Sequence, residues 1–207
     1  MMTVDEVMEL APVVPVLVVE RVEDALPIAR ALVAGGLRAL EVTLRTPAAL
    51  DVMRAMAQVE GAVVGAGTVL NPAQLDAALA AGARFIVSPG LTDTLGKAAV
   101  ASGVPFLPGV ATAADIMRGM DLGLSRFKFF PAETSGGLPA LKALAAPFHE
   151  ARFCPTGGIS EANAAQWLAQ PFVKCVGGSW VVPKGPADPA AIEALARAAC
   201  ALRPAAG

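Results

Sequence analysis

Residues 39–66 read ALEVTLRTPAALDVMRAMAQVEGAVVGA, and two kinds of hydrophobic order alternate within them. Ala39–Thr43 is a short, mostly apolar run with β-branched members, which suits a strand buried on both faces. Thr46 and Pro47 then place a capping side chain before a proline at the first helical position, and the spacing predicts a helix over Pro47–Gln58. Val63–Ala66 returns to the strand pattern. Two buried strands joined by a helical crossover belong to a parallel sheet.

Outward from that unit the same alternation fills the chain. Further strands are predicted at Val13–Val19, Phe85–Ser88, Pro105–Pro108, Arg126–Phe129, Arg152–Thr156 and Val173–Gly177, which makes eight in all. Helical stretches include Asp24–Ala34, Pro72–Ala81, Thr92–Ser102, Thr112–Leu122, Glu161–Ala169 and Ala190–Leu202. Asn71–Pro72 repeats the cap-then-proline signal, and Gly35, Gly82, Gly103 and Gly123 fall where a helix end wants a left-handed residue. No linker or low-complexity segment interrupts the pattern. The expectation is an α/β chain forming one (β/α)8 TIM-barrel domain over residues 1–207, with a short N-terminal helix. An open doubly wound sheet is the alternative topology. In a barrel, chemistry sits at the C-terminal ends of the strands.

Composition narrows the partners. The 207 residues are 55% hydrophobic and 16% charged, so apolar surface is left over for subunit contacts. A net charge of −2 without any Lys/Arg cluster argues against nucleic acid. Met1–Leu10 is acidic and lacks the basic start and apolar core of a signal peptide, and Pro12–Val19 is too short to cross a membrane. Cys154, Cys175 and Cys200 are odd in number and widely spaced, as expected of reduced thiols in a cytoplasmic protein. His149 is the only histidine, so a transition-metal site is not expected. It should lie at the surface, before the seventh strand and away from the chemistry.

The unusual residues lie at the strand ends. In Arg126-Phe-Lys-Phe-Phe-Pro131, alternation puts Arg126, Lys128 and Phe130 on one face and Phe127 and Phe129 on the other. If the phenylalanines pack under the helices, Lys128 points inward, where desolvation favours the neutral amine that attacks a ketone. The competing reading is an ion-paired or snorkelling structural lysine. Glu41 shares a face with Thr43 and Arg45. An inward carboxylate there could shuttle protons, and the Arg45 guanidinium could grip a substrate carboxylate. Alternatively Glu41 forms a salt bridge with Arg45 or Lys128 and nothing more. The turns Thr156-Gly-Gly158 and Gly177-Gly-Ser179 follow the seventh and eighth strands, where barrels often hold phosphate on backbone N–H groups. Gly65-Ala-Gly-Thr68 offers a hydroxyl and amides for a carboxylate, and Ser88-Pro89-Gly90 is a rigid turn suited to a pocket wall. Either could be loop geometry alone. Asp115, Asp121 and Glu133 read as solvated or helix-terminal charges.

Together with Pro12-Val-Val-Pro-Val16, Leu40–Thr46, Val64–Asn71, Phe127–Glu133, Cys154–Ile159 and Gly177–Trp180, these residues give the chain a resemblance to the 2-keto-3-deoxy-6-phosphogluconate aldolases. That family often also acts on 4-hydroxy-2-oxoglutarate. The resemblance runs from about Val13 to Pro183 and implies a Schiff base on Lys128 with Glu41 as proton shuttle. It implies that Arg45 and Thr68 hold the pyruvyl carboxylate and that Pro89, Phe130 and Thr156 line the pocket. Gly157, Gly158 and Ser179 would take the distal phosphate. Thr156 before the Gly-Gly turn favours the gluconate form over a sister group acting on the galactonate epimer. The resemblance further implies a homotrimer that needs neither metal nor cofactor, with a phosphorylated keto sugar acid and pyruvate as its small-molecule partners. Arg21, shortly after the first strand, is left unassigned because its side-chain direction is unreadable. A barrel isomerase, epimerase or synthase would share the phosphate turns but would not need an inward lysine. A non-catalytic sugar-acid sensor would bind without forming an imine.

Overall fold

The structure is a computed structural model that describes residues 2–202; positions 1 and 203–207 of the expected domain lie outside the described residues. Strands β1 (Val13–Leu17), β2 (Ala39–Thr43), β3 (Val63–Gly67), β4 (Ile86–Val87) and β5 (Phe106–Leu107) lie side by side in chain order, with β9 (Val176–Gly178) on the other side of β1. A second sheet joins β6 (Gly109–Val110), β7 (Arg126–Phe129) and β8 (Arg152–Pro155). Every pairing is parallel, with Val16 opposite Glu41, Glu41 opposite Gly65, and Lys128 between Gly109 and Cys154.

The expected fifth strand, Pro105–Pro108, appears as β5, and Pro108, which has no N–H to give a ladder, separates it from β6 beyond the expected bound. The Pro108 carbonyl still accepts from Lys128 N–H at 2.8 Å, so β5 pairs with β4 and β6 pairs with β7. Isolated parallel bridges join Phe153 to Val173 and Thr156 to Gly177. The result is an α/β fold with a curled parallel sheet.

Helices lie between the strands: α2 (Ala25–Ala34), α3 (Ala49–Met56), α4 (Pro72–Ala80), α5 (Asp93–Ser102), α6 (Ala113–Asp121), α8 (Glu161–Leu168) and α9 (Pro189–Cys200) follow the expected order. The sequence reading did not pick out α7 (Gly137–Ala145). Gly136, Gly137 and Pro139 weaken its helical signal, and burial of Leu141 and Ala145 overrides that weakness. Two caps differ from expectation. Thr46 does not cap α3: its hydroxyl donates to Val19 O at 2.9 Å, and the helix begins after Ala48 with no side-chain cap. Gly35 is right-handed at φ −77°, and its neighbour Gly36 takes the left-handed position at φ 95°. Asn71 does cap α4, accepting from Gln74 N–H at 2.9 Å.

Strand alternation feeds two cores. Leu40, Val42, Phe127, Phe129 and Phe153 face the helices and pack with Trp167, Leu32 and Met53. Each large side chain so buried contributes roughly 1.5–3 kcal/mol. Inside the curl lie Val14, Ala39, Val63, Phe85, Val87, Leu107, Cys154 and Cys175. Helix α1 (Val4–Glu9) adds Val7 and Met8 to this inner cluster. Ion pairs Asp5–Arg126 (2.6 Å) and Glu9–Lys174 (2.7 Å) hold α1 against the N-terminal ends of the strands. That end is plugged, which leaves the other for a site.

Asp115 belongs to the cap of α6, one of the two roles expected of it. Its Oδ2 accepts from Ala111 N–H (3.1 Å), Thr112 N–H (3.0 Å) and Thr112 Oγ1 (2.8 Å). Partial burial pushes its pKa up, but those hydrogen bonds and the Arg118 guanidinium outweigh burial and leave it below the ordinary value. A depressed carboxyl pKa stabilises the fold above the unfolded-state value of about 3.9, and the benefit is lost as pH falls through the folded-state value. Asp115→Ala is therefore expected to cost about 1 kcal/mol at neutral pH in urea unfolding, with the gap narrowing in acid. An equal gap at both pH values would show that the carboxylate charge contributes nothing.

Candidate active site

Glu41 and Thr43 are the inward-facing residues in the C-terminal half of β2, and both are buried. Thr43 Oγ1 donates to Leu17 O at 2.8 Å, tying β2 to β1. Gly67 lies beside Glu41, and a β-carbon there would collide with the Glu41 carboxylate. The sequence therefore opens the space that the carboxylate fills. Across the curl, the Phe127 and Phe129 rings are held under the helices, and Lys128 between them is turned inward. Its Nζ donates to Glu41 Oε1 at 3.0 Å, with the two side chains only 7% and 3% exposed. Glu41 thus pairs with Lys128 and not with Arg45.

A buried ion pair is weak support for a fold, because desolvation of both charges offsets most of their attraction. Among the described residues no buried side-chain nitrogen or oxygen lacks a partner, so the pair sits in an interior that is otherwise fully satisfied. Stability alone does not call for it. Lys128 Nζ also stands 5.4 Å from the centroid of the Phe130 ring. On one side Lys128 is in register with Gly109, against which the Pro89–Gly90 backbone packs so closely that a β-carbon could not fit.

Phe130 faces a cleft of about 900 Å³ at the C-terminal ends of the strands. Arg45, Thr156, Gly157, Gly158 and Ser179 line the same cleft, so six of the expected site residues meet there. Arg45 is exposed and makes no ion pair or hydrogen bond among the described residues, leaving its guanidinium fork free. Gly157 and Gly158 have φ of 100° and 80°, a conformation that glycine takes at little cost. The parallel bridge between Thr156 and Gly177 turns the Gly157 N–H toward Gly177 O, whereas the Gly158 N–H finds no acceptor among the described residues. Behind them, a side chain at Gly177 would strike the Thr156 hydroxyl.

Thr68 and Pro89 are not on the cleft lining; they stand just past β3 and β4. Thr68 has φ 60°, the only positive φ of a non-glycine residue among the described residues. For a β-branched residue that conformation costs on the order of 1–3 kcal/mol, and such strain gathers at functional sites.

Two further stretches of the cleft wall stand outside the assigned site residues. Arg21 lines it, but Asp24 holds the guanidinium at 3.0 and 3.1 Å. The loop 183–187, with Lys184 between two prolines, also lines it, and nothing in its spacing marks it out. Glu133, expected as a solvated or helix-terminal charge, is exposed and also hydrogen-bonds Asn163 and Trp167. His149 is exposed before β8, at the far end from the cleft, as expected.

Fold and site together define a parallel α/β protein with a buried lysine–carboxylate pair at the C-terminal mouth of its strands. The model of the KDPG and KHG aldolase family matches residues 4–195. The chain is 62% identical over 206 residues to the 2-dehydro-3-deoxy-phosphogluconate aldolase of Zymomonas mobilis, covering 100% of this chain and 99% of that one. The crystal structure of the Zymomonas mobilis ZM4 2-keto-3-deoxy-6-phosphogluconate aldolase with 3-phosphoglycerate superposes with a TM-score of 0.96, at 62% identity over 98% of this chain and 97% of that one. The KDPG aldolase of Legionella pneumophila, with pyruvate captured at low pH as a covalent carbinolamine intermediate, gives a TM-score of 0.93 at 44% identity, over 96% and 98% of the two chains. The chain belongs to the KDPG and KHG aldolase family.

Proposed function

We propose that this chain is a class I aldolase, a carbon–carbon lyase. It cleaves 2-keto-3-deoxy-6-phosphogluconate to pyruvate and glyceraldehyde 3-phosphate through an imine on Lys128, with 4-hydroxy-2-oxoglutarate as a second substrate that yields pyruvate and glyoxylate. The observation that carries this reading is the 3.0 Å contact between Lys128 Nζ and Glu41, buried next to the cleft that Phe130 and Thr156 line. The Legionella relative, with its pyruvate carbinolamine, supports it from outside.

The chemistry follows from those groups. Glu41 accepts a proton from Lys128, and the free amine adds to the C2 carbonyl to give a carbinolamine. Glu41 returns a proton to the carbinolamine hydroxyl, water leaves, and the iminium forms. The iminium draws electrons from the C3–C4 bond as the C4 hydroxyl proton passes to Glu41, directly or through a water. The aldehyde departs and leaves an enamine. Protonation at C3 and hydrolysis then release pyruvate and the lysine. One carboxylate serves every proton transfer because they occur in turn. Arg45 and Thr68 hold the pyruvyl carboxylate, with the guanidinium gripping two oxygens at once. Pro89, Phe130 and Thr156 wall the reacting carbons, and Phe130 shields the enamine from water. Gly157, Gly158 and Ser179 take the distal phosphate on their N–H and hydroxyl donors.

The same reading takes the curled sheet as a closed (β/α)8 barrel and residues 1–207 as one domain. The break between β5 and β6 at Pro108 and the bridges beside Val173 and Gly177 support that closure. Thr156 ahead of the Gly-Gly turn supports the gluconate-derived substrate. A homotrimeric, cytoplasmic enzyme without metal or cofactor completes the proposal, and sedimentation would test the subunit count.

Incubation with pyruvate and borohydride, followed by peptide mapping, tests the imine directly. The expected product is a reduced pyruvyl adduct on Lys128. A folded protein that traps no pyruvate would overturn the covalent mechanism.

A further inference from the structure

Glu133 has no part in that chemistry, yet its side chain packs against the Gly157–Gly158 turn. Its Oε1 accepts from Trp167 Nε1 and from Asn163 Nδ2, both at 3.1 Å. The same Asn163 Nδ2 donates to Gly158 O at 3.1 Å, and the Glu133 N–H donates to Gly157 O at 3.0 Å. A β-carbon on Gly158 would come within 2.5 Å of Glu133 Cγ and 2.7 Å of its Cβ, so the side chain lies directly on the turn. Both turn carbonyls are thereby held by the Glu133–Asn163 side. The Gly158 N–H is left without an acceptor among the described residues, on a turn that lines the cleft.

A negative charge beside a turn that takes an anion is unfavourable by Coulomb's law, and screening reduces the cost without removing it. The contacts give Glu133 another use. Its oxygen accepts from the buried Trp167 indole and fixes the amide of Asn163, which in turn grips Gly158. What these contacts need is an acceptor of this length; they do not need its charge.

We infer that Glu133 is a positioning residue for the phosphate-holding turn: it sets the direction of the Gly158 N–H group and governs affinity for the phosphate end of the substrate, not the imine chemistry. The inference rests on reading that turn as the phosphate subsite.

The test compares 2-keto-3-deoxy-6-phosphogluconate with its unphosphorylated counterpart in the parent, Glu133→Ala and Glu133→Gln. Glu133→Ala is expected to raise KM for the phosphorylated substrate about tenfold, since a donor displaced by a fraction of an ångström loses much of its bond. The kcat should stay within about threefold, and both constants for the unphosphorylated substrate should hold. Glu133→Gln, which keeps the accepting oxygen, should restore the parent KM. Where Glu133→Ala does not fold, Asn163→Ala frees Gly158 O while sparing the Trp167 bond, and it should show the same split. A fall in kcat on both substrates, or a glutamine variant no better than alanine, would overturn the inference. So would a parent-like KM in both alanine variants. If the parent itself treats the two substrates alike, the phosphate-subsite reading fails, and this inference with it. If the parent discriminates and the variants discriminate equally well, only the role of Glu133 fails.

Discussion

Lys128→Arg is expected to leave a folded protein with kcat reduced about 10³-fold or more, and with no trappable pyruvate adduct. The substitution is chosen from the geometry. Removing the positive charge altogether would strand Glu41, which is 3% exposed, and an uncompensated buried charge costs about 3–5 kcal/mol. Arginine keeps a cation opposite the carboxylate, so stability should fall by less than that, the larger head group being the main strain. The guanidinium cannot supply the free amine that adds to a ketone. Unfolding curves, trapping with borohydride and steady-state rates should be measured on one preparation. Native-like unfolding with no turnover is the expected pair of results. Substantial activity in a folded Lys128→Arg protein would end the imine mechanism.

Glu41→Gln is expected to separate imine formation from cleavage. Glutamine still offers an oxygen to Lys128 Nζ, so the 3.0 Å contact has a substitute and the interior stays satisfied. An amide does not relay protons as a carboxylate does, and general acid–base catalysis is typically worth about 10²–10⁴-fold. Turnover should therefore fall by about that factor, while pyruvate is still trapped on Lys128, though more slowly. Single-turnover cleavage set against the rate of adduct formation distinguishes the two steps. Cleavage at the parent rate would make Glu41 a structural counterion, one of the two readings open from the sequence.

Much of the site was legible because it rests on short-range order. Phenylalanine at positions 127 and 129 turns Lys128 the other way, and alternation does the same for Glu41 beside Val42. The glycine pairs after β8 and in β9 mark turns and close approaches that side chains would block. Glu133 is exposed, as its reading as a solvated charge implies, but its hydrogen-bond partners were not legible, for the opposite reason. A glutamate in a polar loop looks solvated from its neighbours, and its partners Asn163 and Trp167 lie 30 and 34 positions away. Thr46 misled in the same way, since its acceptor Val19 O lies just past β1, 27 residues earlier.

The sequence by itself determined the strand–helix alternation, the face on which each strand residue stands and the family to which the chain belongs. These depend on the local period and on segments that are informative one at a time. Only the tertiary structure decided that Glu41 meets Lys128 across 87 residues, that Pro108 separates β5 from β6, and that Thr68 and Pro89 stand off the lining of the main cleft. Those outcomes depend on the register and curl of the whole sheet. Both are set by many weak contacts summed over distant elements, and no single stretch of sequence carries that sum.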